Sequence, residues 1–105
     1  MKQSPTKRSL ALLRETCDLV EVTEHWNPFA RIRKDLYGWI DILAIRGPDT
    51  IAVQTTSWSN VKARIKKIEE SDSIAAVRKA GWVIEVHGLK KGKDGKYVVR
   101  IENIS

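Results

Sequence analysis

Gly38-Trp39-Ile40-Asp41-Ile42-Leu43-Ala44-Ile45, followed across Arg46-Gly47-Pro48-Asp49 by Thr50-Ile51-Ala52-Val53-Gln54-Thr55-Thr56, is the most informative stretch of this chain. From Trp39 to Ile45 every residue except Asp41 is apolar, the pattern of a strand buried on both faces in a sheet centre. Arg46 to Asp49 is a cluster of turn formers. Thr50 to Thr56 reads as the next strand, so the two make a hairpin with a short loop. Ile45 opposite Thr50 is the register that this turn implies, and it sets Asp41 opposite Gln54. Directly opposed residues share a face, with Cβ atoms about 5 Å apart. Thr56, two residues beyond Gln54, lies on that same face. A slip of one residue would scatter the three.

A carboxylate in such a strand is costly to bury unpaired. Asp41 therefore needs a metal, strong donors or a cation, for which Arg31 and Arg33 are the candidates. Gln54 is either part of the same site or a polar core residue bonded to backbone. Asp35 and Glu15 are further carboxylates within reach of such a site, although Asp35 also suits a turn or cap and Glu15 a solvated helix face.

Working outward, Leu10, Leu13 and Cys17 share one face of a helix over Thr6–Cys17, which Ser4 or Thr6 can cap. Leu19–His25 alternates as a strand, broken by Asn27-Pro28. Phe29–Leu36 carries Arg31, Arg33 and Lys34 and reads as a basic loop or irregular strand. A helix capped by Ser57 or Ser59 runs to about Glu70, with Val61, Ile65 and Ile68 inward and Lys62, Arg64, Lys66 and Lys67 mostly outward. A second helical segment, capped by Asp72 or Ser73, reaches Lys79 and ends at Gly81. Strands over Trp82–His87 and Tyr97–Ile101 flank a turn that contains Asp94-Gly95. The order is α-β-β-β-α-β-β, an α/β fold with one mixed sheet flanked by helices. The helix between the third and fourth strands implies a parallel, right-handed crossover.

The chain has 105 residues, 42% hydrophobic and 30% charged, enough for one core and one domain over 1–105. No apolar run approaches the roughly 20 residues that span a bilayer, so no membrane partner is expected. The lone Cys17 has no internal disulfide partner, and Met1–Ser9 lacks the apolar stretch of a secretory signal. These features point to the cytoplasm, of the producing cell or of a phage-infected or prophage-bearing host. The net charge of +6 attracts phosphate backbones. The Lys90, Lys91, Lys93 and Lys96 tip serves that end or merely solubility. Trp26, Trp39 and Trp82 read as core, Cys17 as part of a buried apolar face, and His25 and His87 are too isolated for a zinc site.

The segment Gly38–Ile45 followed by Ile51–Thr56 resembles the core of the PD-(D/E)XK nuclease superfamily, in particular its archaeal Holliday junction resolvase-like members. There a glycine, a short gap and an aspartate precede apolar residues, and the next apolar strand ends in Glu-x-Lys. Arg33-Lys34-Asp35-Leu36-Tyr37-Gly38 is similar to a basic-Asp-Leu-aromatic-Gly segment of small phage and prophage proteins. The resemblance implies an αβββαβ restriction-endonuclease-like core, here with an extra C-terminal strand, and a Mg2+- or Mn2+-dependent DNA endonuclease. Asp41 matches the metal-binding aspartate, Gln54 stands where the second acid is found, and Thr56 stands where the lysine is found. The Thr55 carbonyl matches a position that completes the metal shell, Asp35 can add a carboxylate, and Lys62 or Lys66 can reach back to supply the missing cation. DNA contacts fall to Arg31, Arg33, Lys34, Trp58, Lys62, Arg64 and Lys66, and a resolvase-type role suits a homodimer. The alternative is a module of the same fold that binds nucleic acid without cleaving it.

Overall fold

The computed structural model describes residues 5–105, with the side chains of Pro5, Thr6 and Arg33 outside that description. The capping role expected of Ser4 or Thr6, and any contact of the Arg33 side chain, therefore lie outside the described residues. The elements are α1 (Pro5–Thr16), β1 (Leu19–Val22), β2 (His25–Asn27), β3 (Ile32–Lys34), β4 (Ile42–Arg46), β5 (Asp49–Ser57), α2 (Val61–Glu69), α3 (Ile74–Lys79), β6 (Val83–Lys91) and β7 (Tyr97–Asn103). A single 3-10 turn, Trp58–Asn60, leads into α2.

Five strands form one mixed sheet in the order β1-β4-β5-β6-β7. Only β5 and β6 run parallel, joined by the α2–α3 crossover, and the remaining neighbours are antiparallel. Ile45 pairs with Thr50 and Arg46 with Asp49, so Gly47-Pro48 alone makes the hairpin turn. Gly47 supplies the positive φ, 60°, that such a tight turn requires.

The central strand β5 is buried on both faces, and its alternation sorts the core into two layers. Ile51 and Val53 face α1 and pack with Leu13, Ile42 and Ala44. Ala52 faces the other way, into a cluster with Trp39, Val61, Ile68 and Val77 under α2 and α3. Helix α2 turns Val61 and Ile68 inward, fully buried, with Ile65 packed beside them.

β6 comes closest to α2 at Gly88. A Cβ there would overlap the Val61 Cγ2 and approach the Trp58 Cα to 3.2 Å. Val61 is fully buried and stiff at χ1, so it has nowhere to turn. Gly88→Ala is expected to destabilise the fold by about 1–3 kcal/mol, read as a lower midpoint in urea with an unchanged slope.

Several local expectations are corrected. The strand read over Leu19–His25 is two elements, because the chain turns off the main sheet after Val22. Of the two readings of Phe29–Leu36, loop or irregular strand, the strand holds for Ile32–Lys34: β3 pairs with β2 in a separate hairpin. β4 begins at Ile42, not Trp39, so Asp41 lies at the mouth of the strand rather than within it. Ser57 and Ser73 stand at helix N-termini but make no side-chain capping bond. Ser73 instead accepts the Trp39 indole N–H at 2.9 Å. Trp26, read as core, is 57% exposed.

Candidate metal centre at the mouth of the β4–β5 hairpin

The site is assembled by a tight loop from Asp35 to Asp41. Leu36 and Ile40 exchange backbone bonds, Leu36 N–H to Ile40 O at 3.2 Å and Ile40 N–H to Leu36 O at 2.9 Å. Reversing the chain in so few residues needs left-handed backbone, supplied by Tyr37 (φ 55°) and Gly38 (φ 84°). Glycine takes this conformation freely, whereas Tyr37 is held in it by the loop. Trp39 and Ile40, both buried, anchor the loop in the α2–α3 layer. The result folds Asp35 back over Asp41.

β1 delivers a third acid. Past its last paired residue, Thr23 donates its N–H to Asp41 O at 2.8 Å and its hydroxyl to Ile40 O at 2.6 Å. This fastening places the next residue, Glu24, beside Asp41. Carboxylate oxygens of Glu24, Asp35 and Asp41 lie within 4.8 Å of one another.

Asp41 itself parts β4 from β5. Its N–H still bonds Val53 O at 2.9 Å in the ladder. One position on, its carboxylate replaces a backbone acceptor. Oδ2 takes the Thr55 N–H at 2.8 Å, the Thr55 hydroxyl at 3.0 Å and the Gln54 Nε2 at 2.7 Å. Gln54 Nε2 also donates to Thr55 O at 3.0 Å.

Asp41 is 2% exposed, and burial pushes its carboxyl up to about 7 from an ordinary 3.8. The Thr55 bonds oppose the rise, while the charges of Asp35 and Glu24 add to it. Three crowded carboxylates repel one another, and a cation relieves that repulsion. Two further atoms lack what a cation would give: Asp35 Oδ1 and Gln54 Oε1 are buried acceptors with no hydrogen-bond partner among the described residues. Gln54 as a whole is 4% exposed. An all-oxygen donor set of this kind fits a hard divalent ion such as Mg2+ or Mn2+.

The structure thus brings together Asp35, Asp41, Gln54 and Thr55. Thr56 is buried, and the described hydrogen bonds to the Asp41 carboxylate come from Gln54 and Thr55. Lys62 and Lys66 are exposed on α2, and Arg64 is half-buried there. Trp58, half-buried, carries the Lys90 ammonium 4.1 Å above its ring and the Arg100 guanidinium at 5.9 Å. Arg31 and Lys34 are exposed on the β2–β3 hairpin. A cleft of about 340 Å³ lined by Thr23, His25, Lys34, Asp35, Leu36 and Tyr37 opens beside the acids.

Glu24 was not among the residues singled out from the sequence. The extra carboxylate was expected from Asp35 or Glu15; Asp35 lies in the trio, whereas Glu15 is exposed on α1. The only sequence signal for Glu24 is its place at the end of a strand that neighbours the one carrying Asp41. A second polar cluster was missed altogether. His87, fully buried on β6, bonds Ser9 Oγ through Nδ1 at 3.1 Å and Glu85 Oε1 through Nε2 at 2.9 Å. His87 also holds the Glu85 carboxyl below its ordinary value by that hydrogen bond, against the opposing effect of burial.

Comparison with protein-family models, with curated proteins and with solved structures returns no match for the chain. The chain folds as an α/β domain with a mixed five-stranded sheet flanked by helices. Among the described residues no helix is long and apolar enough to cross a membrane.

Proposed function

We propose that this chain is a metal-dependent nuclease-like domain with a restriction-endonuclease-like core, and that it hydrolyses phosphodiester bonds in DNA. The observation that carries the reading is the trio Glu24, Asp35 and Asp41, gathered within 4.8 Å where β4 and β5 diverge. Gln54 brings no charge to the position where the resembled family has an acid. Glu24 and Asp35 make up that deficit from outside the hairpin, so a divalent ion meets enough negative charge without a glutamate at position 54. Asp41, Asp35 and Glu24 would hold the ion, and the unpartnered Gln54 Oε1 could add a neutral oxygen. A bound Mg2+ or Mn2+ supplies charge stabilisation for the phosphate and a more acidic water.

The chain's own residues do the rest. Thr55 fixes the Asp41 carboxylate through two bonds, so the acid does not swing when its proton leaves. The basic surface, with a net charge of +6, draws the polyanion to the cleft. A homodimer would present two such sites to two strands.

A second reading is that the domain binds nucleic acid without cutting it. It is favoured by Thr56, 6% exposed, in the place of the lysine that stabilises developing charge. The two readings separate on branched and linear DNA incubated with Mg2+ or Mn2+. Cleavage by the native chain and at least a hundredfold loss in Asp41→Asn, which keeps the side-chain oxygen that Thr55 bonds, are expected from the nuclease. Salt-sensitive binding with no product from either protein would establish the second reading. Absence of both binding and product would remove both.

A further inference from the structure

The β2–β3 hairpin, His25 to Lys34, stands apart from the main sheet as an arm. Its two feet are the acids of the metal centre: Glu24 immediately precedes His25, and Asp35 immediately follows Lys34. Between these acids the arm contains Arg31, Arg33 and Lys34 and no acidic residue. Phe29, at its tip, is 98% exposed, and Trp26 and Ile32 are 57% and 52% exposed. The tip has a fixed shape. The Asn27 side-chain oxygen accepts the N–H groups of Phe29 at 3.0 Å and Ala30 at 3.2 Å, and Arg31 turns the chain with a φ of 52°.

Phe29, almost wholly exposed on this braced turn, presents an apolar ring beside the cations of the arm. Phosphate contacts suit its cations, and the flat ring suits a base. A second copy of this chain fits less well, since arms meeting across a twofold axis would oppose three cations with three more. The reach is short. Phe29 lies five positions beyond Glu24, which at about 3.3 Å each sets their Cα atoms at most ~16 Å apart. That is about five nucleotides along a stacked strand at roughly 3.4 Å each.

We propose that this arm selects nucleic acid with an unpaired or unstacked base, and that Phe29 stacks on that base within about five nucleotides of the phosphate held at the acids. The inference rests on the nuclease-like reading and adds to it a feature of the substrate: a bulged or single-stranded base rather than an intact duplex.

The test compares the native chain with Phe29→Ala and Phe29→Trp on three DNA probes of one length: single strand, duplex with one bulged nucleotide, and perfect duplex. Affinities are read at two salt concentrations, with Mn2+ binding measured by calorimetry on each protein. Phe29→Ala is expected to weaken binding of the single-stranded and bulged probes by roughly tenfold or more. Phe29→Trp should restore it, and perfect-duplex affinity, salt dependence and Mn2+ binding should be unchanged. Equal affinities of native chain and Phe29→Ala for every probe, with Mn2+ still bound, would overturn the arm and leave the metal centre standing. Loss of Mn2+ binding in the native chain would strike the metal centre instead. A change in sedimentation on Phe29→Ala without a change in probe preference would make the tip a contact between copies and refute the proposal.

Discussion

Asp41→Asn is expected to abolish Mn2+ binding and, in the same protein, to raise the melting temperature at pH 8 in the presence of a chelator. The two outcomes share a cause. Oδ2 of Asp41 accepts three described hydrogen bonds, from Gln54 and Thr55, and the amide oxygen of asparagine keeps all three. What asparagine removes is the buried negative charge beside Glu24 and Asp35. Asp41's carboxyl is raised to about 7 by burial and by those two acids. The native fold therefore binds a proton there that the unfolded chain, with its ordinary 3.8, has already lost. Stability from this group is complete below about pH 4, declines as the pH climbs toward 7, and is flat beyond. Ionising a carboxyl held near 7 rather than 3.8 costs the fold about 4 kcal/mol at most. Recovery of about half of that by asparagine corresponds to on the order of 10 °C in Tm for a chain of this size. Thermal melts at pH 5 and pH 8 check it: the gain from Asp41→Asn belongs to the higher pH. A variant less stable than the native chain at pH 8 without metal would contradict the crowded-acid description of the site.

His87→Ala is expected to be the most damaging single truncation away from that site. The ring joins α1 to the sheet through Ser9 and holds Glu85, with all three residues buried. Removing it opens a cavity and strands a carboxylate and a hydroxyl, at a cost of about 3–5 kcal/mol. Ser9→Ala loses one hydrogen bond and should cost about 1 kcal/mol, so a chemical-denaturation comparison distinguishes a three-part clamp from simple packing. Glu85 gives this clamp an acid dependence opposite to that of Asp41. Its carboxyl is held below the ordinary 4.5, first by the His87 bond. The stability it contributes is present above pH 4.5 and disappears as the pH falls through the lower folded value. Asp41 penalises the neutral side and Glu85 the acid side, so the two contributions to the metal-free protein oppose each other as the pH changes.

The hairpin that carries Asp41 and Gln54 was legible because its signals are local. Continuous apolar runs bracket Gly47-Pro48, and the turn admits one register that buries both strands. The β2–β3 arm gave no such signal. His25-Trp26-Asn27 and Ile32-Arg33-Lys34 are three-residue strands whose partner is each other, so neither shows the alternation of a strand lying on a core. Trp26 consequently reads as core from its side chain alone, although it faces solvent. Glu24 depends on closure of the Asp35–Asp41 loop, which rests on two residues in left-handed conformation. Ser9 and His87 are 78 positions apart, and no periodicity relates them.

The way Asp41 interrupts the β4–β5 ladder restricts which amino acids that position can accept. Its side chain does the work of a missing backbone carbonyl for Thr55, so a residue without an oxygen there would leave a buried N–H stranded whatever the protein's activity. Aspartate and asparagine meet the architectural demand equally, and only aspartate meets the chemical one. A deep mutational scan scored for folding should therefore tolerate asparagine at 41 and reject leucine, while a scan scored for activity should reject both.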